Sequence, residues 1–256
     1  MLSSSHHLTL VTLVLAASWL ARPTLAAVSC DANEFIDRNE CARAVSQIVY
    51  EKAGNTLDRV STKFAKLSGN CTILVGNPEK GAVTKQQIEA GFTSIFDQCK
   101  VNTGQVSLAN SLFLQVQDHR LGYDSGDIES TTLICGLNTN APLTINKDCQ
   151  TAYNNIPVDK NGRLLGEDGQ PTASVLKTFK TCTVLVYTTD NSTLIGTKSE
   201  IGSVVSKTIN DCKGKSGVIG SPKGGAGING LTVVKVRSSK ECGDHRDTEG
   251  KYQSCY

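Results

Sequence analysis

Apolar positions along this chain recur with two alternating periods. From Phe35 to Tyr50, the residues Cys41, Ala44, Val45, Ile48 and Val49 fall at helical spacing and define one apolar face. The run Cys71-Thr-Ile-Leu-Val75 is short, β-branched and continuous, the pattern of a buried strand. Thr84-x-x-Gln87 then reads as a capping box opening a second helix, in which Ile88, Phe92 and Phe96 repeat at i, i+4 and i+8. That helix ends at Cys99, Gly104 suits the exit turn, and Leu114-Gln-Val-Gln117 alternates as a closing strand.

The same order returns further along the chain. Cys149 to Ile156 repeats the C-x2-A-x3-I of Cys41 to Ile48, and Cys182-Thr-Val-Leu-Val186 repeats the strand at Cys71. Thr197-x-x-Glu200 is a second capping box, followed by Ile201, Val205 and Ile209, by Cys212 and Gly217, and by Val234-Lys-Val-Arg237. The offset grows from 108 residues at the first helix to 120 at the last strand, which places insertions in loops. The expectation is a duplicated α+β lobe, each copy α-β-α-β-β with helices on a small antiparallel sheet. The copies span residues 28–136 and 137–256.

Residues 1–27 read as a secretory leader: Leu8 to Leu20 is almost unbroken apolar sequence, and small residues Ala26 and Ala27 follow. The run is too short for a comfortable membrane span, and no later stretch approaches one, so no membrane span is expected. Removing the leader takes the one tryptophan, Trp19, and leaves 25 basic against 24 acidic residues. That near-neutral balance gives no footprint for nucleic acid. The reading is a secreted, extracellular glycoprotein with sequons at Asn70 and Asn191.

All ten cysteines lie beyond the leader, an even number that reads as disulfides rather than metal ligands. No C-x2-C pair occurs, so neither a metal nor another cofactor is expected. Cys41, Cys71, Cys99 and Cys135 are assigned to the first copy, and Cys149, Cys182, Cys212 and Cys255 to the second. Cys30 and Cys242 remain, and are expected to pair as a clasp between the copies.

Candidate chemistry is sparse. The two histidines beyond the leader sit in matching tripeptides, Asp118-His119-Arg120 and Asp244-His245-Arg246, a polar cluster suited to a sugar or phosphate. No G-x-S-x-G elbow is present, and with every thiol expected in a disulfide no cysteine nucleophile is available. Acidic pairs for glycoside hydrolysis could come from Asp124, Asp127 and Glu129, or from Glu167 and Asp168. The glycine-rich run from Gly214 to Gly230 lacks a phosphate-loop pattern and reads as a long mobile hairpin loop, exposing Lys213, Lys215 and Lys223. Asp159-Lys-Asn161-Gly162 falls short of a calcium loop, because Arg163 stands where a ligand is needed.

Taken together, Asp148-Cys149 opening a helix, Thr181-Cys182-Thr-Val-Leu-Val, Ile209-Asn-Asp-Cys212, Gly217-Val-Ile-Gly220 and Gly230-Leu-Thr-Val-Val-Lys-Val236 resemble a fungal family. The order is similar to the killer-toxin-like and necrosis-inducing effector domains of secreted fungal proteins. That resemblance implies a compact α/β sandwich and a non-catalytic effector or toxin-like role at a host or competitor surface. A second resemblance is to small cysteine-rich α/β glycan-binding proteins, which implies a lectin-like alternative with avidity if both copies bind. A secreted glycoside hydrolase is the third reading. The expected partner is an extracellular target, a glycan or a host surface protein.

Overall fold

A computed structural model of the chain describes residues 27–109, 111–119, 128–137 and 141–240. Two lobes of identical topology follow one another. The first contains β1 (Ser29–Phe35), α1 (Arg38–Ser46), β2 (Lys63–Ser68), β3 (Cys71–Gly76), α2 (Lys85–Cys99), β4 (Asn102–Ser107) and β5 (Phe113–Asp118). The second contains β6 (Leu133–Cys135), α3 (Asn146–Asn154), β7 (Ser174–Phe179), β8 (Cys182–Thr188), α4 (Lys198–Cys212), β9 (Gly217–Ser221) and β10 (Thr232–Ser238). Each lobe is a five-stranded antiparallel sheet, ordered β1-β4-β5-β3-β2 and β6-β9-β10-β8-β7. The helices pack against these sheets, α1 on β2 and β3, α2 on β4 and β5, with α3 and α4 placed likewise.

Local chemistry accounts for the helices. Both capping boxes form: Thr84 N–H donates to Gln87 Oε1 at 2.9 Å, and Thr197 N–H donates to Glu200 Oε2 at 2.8 Å. Ile88, Phe92 and Phe96 are buried in the first core, and Ile201, Val205 and Ile209 in the second. The first short helix begins at Arg38 after its N-cap Asp37, which accepts the N–H groups of Asn39 and Glu40, and it ends at Ser46, so Ile48 and Val49 lie beyond the helix. In both lobes an acid just before the helix cysteine ties that helix to a hairpin turn. Glu40 accepts Asn70 N–H at 2.7 Å, and buried Asp148 accepts the Thr181 hydroxyl at 2.7 Å.

Four disulfides among the described residues repeat the symmetry. Cys41–Cys71 and Cys149–Cys182 join the short helix to an inner strand, while Cys30–Cys99 and Cys135–Cys212 join the first strand to the end of the long helix. The expected clasp between Cys30 and Cys242 is therefore corrected: Cys30 is bound within its own lobe. The assignment of Cys135 to the first copy is corrected too. The repeat opens with a cysteine-bearing strand ahead of its first helix, so each unit reads β-α-β-β-α-β-β rather than α-β-α-β-β. A division at 136/137 would cut β6 from its own sheet; the elements part between Asp118 and Leu133. Cys242 and Cys255, and the leader, lie outside the described residues.

The glycine-rich run is not one long loop. Gly217–Ser221 is β9, an inner strand, and only residues 222–231 form a connection. That connection packs against the first lobe. Asn229, 1% exposed, receives Val49 N–H on its Oδ1 and donates from Nδ2 to Val49 O, both at 2.8 Å. Lys66 Nζ donates to Asn229 O at 3.0 Å, and Thr62 N–H to Asp190 O at 3.0 Å. At the centre, Ser61 Oγ lies 2.9 Å from Asp190 Oδ2 and 3.0 Å from Asp58 Oδ2, with all three residues buried. A Cβ on Gly227 would collide with Asp190 and Ser61, so this approach of backbone to carboxylate needs glycine.

Candidate functional site

The histidine tripeptides do not fall at equivalent positions of the repeat. Asp118 is the last residue of β5, whose register partner is Cys71, and Cys71 corresponds to Cys182. Cys182 pairs with Ser238, so the counterpart of Asp118 is Ser238, well before Asp244. His119 is enclosed, with 10% side-chain exposure, and its Nε2 lies 3.7 Å from Glu129 Oε1. Glu129 belongs to the connector that runs into the second sheet, where Thr131 N–H donates to Gly220 O at 2.8 Å. His119 thus faces the link between lobes. Arg120, Asp244, His245 and Arg246 lie outside the described residues.

The acidic loops are engaged in local structure. Glu167 pairs with Lys177 at 3.1 Å, and Asp168 Oδ1 accepts Gln170 N–H at 3.0 Å. Asp159 Oδ1 accepts the N–H groups of Asn161 and Arg163, which makes that segment a self-contained turn. Asp124 and Asp127 are outside the described residues. Among the described residues no three His, Cys, Asp or Glu side chains gather where they could hold a metal. No helix among them is long and apolar enough to cross a membrane.

A cavity of about 540 Å³ opens in the second lobe, between the first turns of α4, the β9–β10 ladder and the 222–231 connection. Its apolar lining comes from Ile195, Ile201, Val204 and Val234, and its polar groups from Glu200, Ser203, Ser221, Lys223 and Thr232. Sequence reasoning gave Glu200, Ile201 and Val234 structural roles and Lys223 an exposed loop position, and joined none of them into a site. The signal available was the glycine-rich run, whose Gly224 has φ +109° and lines the cavity. A Cβ at Gly224 would stand 2.9 Å from Thr232 Oγ1, so the bare glycine lets the connection pack directly against this hydroxyl.

The electrostatics are balanced. Glu200 Oε2 accepts both the N–H and the hydroxyl of Thr197, each at 2.8 Å, and these bonds hold its carboxyl below the ordinary glutamate range. The Lys223 ammonium adds to the effect. One acid and one base therefore flank the mouth. Thr232 is 2% exposed and its Oγ1 has no hydrogen-bond partner. A largely aliphatic hollow with a few placed polar groups is the usual build of a small-ligand site.

No family model matches this chain, and no curated protein matches it. Two crystal structures are similar to it: the tandem DUF26 ectodomains of the Arabidopsis thaliana cysteine-rich receptor-like proteins PDLP8 and PDLP5. Identities are 10% and 8%, and TM-scores are 0.27 and 0.28. Each alignment covers 84% of this chain and 98% of the other. At these scores the likeness carries no argument about function. The chain stands as a tandem, two-lobe, disulfide-stapled α+β protein, without a specific tie to killer-toxin-like or necrosis-inducing domains.

Proposed function

We propose that this is a non-catalytic recognition protein working outside the cell, lectin-like in action, which takes a sugar unit into the second-lobe cavity. One observation carries the reading: a hollow in the second lobe combines an aliphatic floor with the hydroxyl-bearing residues Ser203 and Ser221. A pyranose presents C–H faces and hydroxyls together, which matches that lining. The extracellular setting is supported by the apolar leader and by four disulfides, which persist in oxidising compartments. The effector- or toxin-like reading shares this architecture, but among the described residues it has no site of its own and stands second.

The deciding experiment is a broad glycan array probed with the wild-type protein and with Thr232→Leu, which fills the hollow. Binding of a restricted glycan set that Thr232→Leu loses is the expected result. No binding across the panel, or binding unaffected by the substitution, overturns the lectin reading. Of the two sequons, Asn70 sits exposed in the β2–β3 turn, whereas Asn191 Nδ2 donates to Thr62 Oγ1 across the lobes at 2.9 Å. We therefore assign the glycan to Asn70. Glycopeptide mass spectrometry should find Asn70 modified and Asn191 bare.

A further inference from the structure

We propose that the second lobe docks on a membrane surface carrying anionic lipid. The contact is a patch at the far end of α4, where Leu143 and Ile145 enter the bilayer and Lys147, Lys180, Lys213 and Lys215 meet its headgroups. The patch is separate from the cavity: the cavity lies at the first turns of α4, and a helix of 15 residues puts about 20 Å between its ends. It anchors the protein whatever the cavity takes.

Three segments distant in sequence build the patch. Thr144 is buried and its N–H donates to Gly214 O at 2.8 Å, which sets residues 143–145 beside Lys213 and Lys215. Ile145 N–H donates to Thr181 Oγ1 at 3.0 Å and brings in Lys180 from the β7–β8 turn. With Ile145 in extended backbone and Thr144 turned inward, Leu143 and Ile145 project into solvent on one side, 65% and 56% exposed. All four lysines are exposed. Among the described residues no carboxylate pairs with any of them: Asp211 is taken by Lys207 at 2.6 Å, and Asp148 is buried against the Thr181 hydroxyl.

Counting from the disulfide cysteines gives the first-lobe counterparts. Leu143 corresponds to Phe35, which is exposed too, but Ile145 corresponds to Asp37, Lys147 to Asn39, Lys180 to Gly69 and Lys215 to Asn102. Lys213 alone keeps its charge, in Lys100. The exchange at Ile145 works against the fold. Asp37 caps α1 by accepting two N–H groups, whereas Ile145 stands at the same position of α3 with no side-chain cap bond. Isoleucine is among the poorest N-caps, so the second lobe gives up helix stability at the place where it exposes an aliphatic side chain. Single exposed apolar residues are ordinary, but a pair fixed among lysines matches an interface where acyl chains lie beneath anionic headgroups. A soluble polyanion offers the charge without the apolar layer.

The test is co-sedimentation of the secreted protein with vesicles of phosphatidylcholine and phosphatidylserine in equal parts, against phosphatidylcholine alone. Expected is salt-sensitive binding to the anionic vesicles and none to the neutral ones. Lys213→Gln/Lys215→Gln should weaken it about 25-fold, from about 5-fold for each basic residue near such a surface. Ile145→Ser separates this role from stability: the restored cap should raise the folded-to-unfolded ratio about 5-fold while vesicle binding falls about 10-fold. Insertion is read by Leu143→Trp, since Trp19 leaves with the leader: brominated lipid should quench its fluorescence and spare that of Phe35→Trp. No vesicle binding, equal binding to neutral vesicles, binding that Ile145→Ser leaves unchanged, or equal quenching of Phe35→Trp overturns the proposal. Capture by heparin without vesicle binding overturns it too, and assigns the patch to a soluble polyanion.

Discussion

A hydroxyl enclosed without a hydrogen-bond partner costs a fold about 1–3 kcal/mol, and Thr232 Oγ1 is such a group. Thr232→Val should therefore raise the unfolding free energy by about 1 kcal/mol in urea titrations. A second side chain reports on the junction of the lobes. Burial holds the Lys66 ammonium below the ordinary lysine range, with the Asp190 carboxylate pulling the other way. Between the lowered folded value and the ordinary value of 10.5 the unfolded chain binds more protons, so stability contributed by this site rises with pH across that window. Lys66→Met should flatten the rise in denaturation curves taken across it. None of this was legible from residue type. Thr232 and Lys66 are ordinary residues in the sequence, and only their enclosure gives them a role.

Helices α2 and α4 were legible down to their caps, because capping boxes and i, i+4 stripes are contacts within one turn or two. Inner strands β3 and β8 were legible for a similar reason, being short apolar runs each opened by a cysteine. The edge strands β1, β2, β6 and β7 escaped notice. Ser29–Phe35 is polar and exposed along nearly its whole length, and Lys63–Ser68 and Ser174–Phe179 mix polar and apolar residues without strict alternation. Such segments become strands because a neighbour offers hydrogen bonds, which sequence periodicity does not record. At this scale the fit of α2 on its sheet is testable. Gly91→Val drives a side chain into Leu114 and should cost about 1–3 kcal/mol by chemical denaturation. Adding Leu114→Val, the pairing that the second lobe uses, should recover most of the loss. Removing the Cys41–Cys71 bridge by double alanine substitution should cost about 2–4 kcal/mol, read in the same assay.

The two lobes each carry a core and two disulfides, so their coupling rests on the seam between them. Ser61 and Thr62 meet Asp190 and Asn191, and Val49 and Lys66 meet Asn229, through hydrogen bonds of which the Ser61–Asp190 one is fully buried. Buried polar groups that satisfy one another hold a single geometry, whereas an apolar contact of the same size would permit sliding. Calorimetry of the wild-type protein should show one cooperative transition. The double variant Asp190→Ala/Asn229→Ala should resolve it into two, one per lobe; a single transition that survives would show that the connector alone couples them.

What the sequence by itself determined is the repeated α+β lobe, with its cysteines spaced for disulfides and its long helices bounded by capping boxes and cysteines. Those features depend on neighbours a few residues away, and short-range periodicity records them. The disulfide partners, the seam and the cavity were decided only by the tertiary structure. Cys30 meets Cys99 across 69 residues, and Ser61 meets Asp190 across 129. Which chain segment pairs with which depends on sheet register, and register follows from packing of the whole lobe. The cavity is the sharpest case: its lining comes from 195–204 and 221–234, two segments that only the fold brings together.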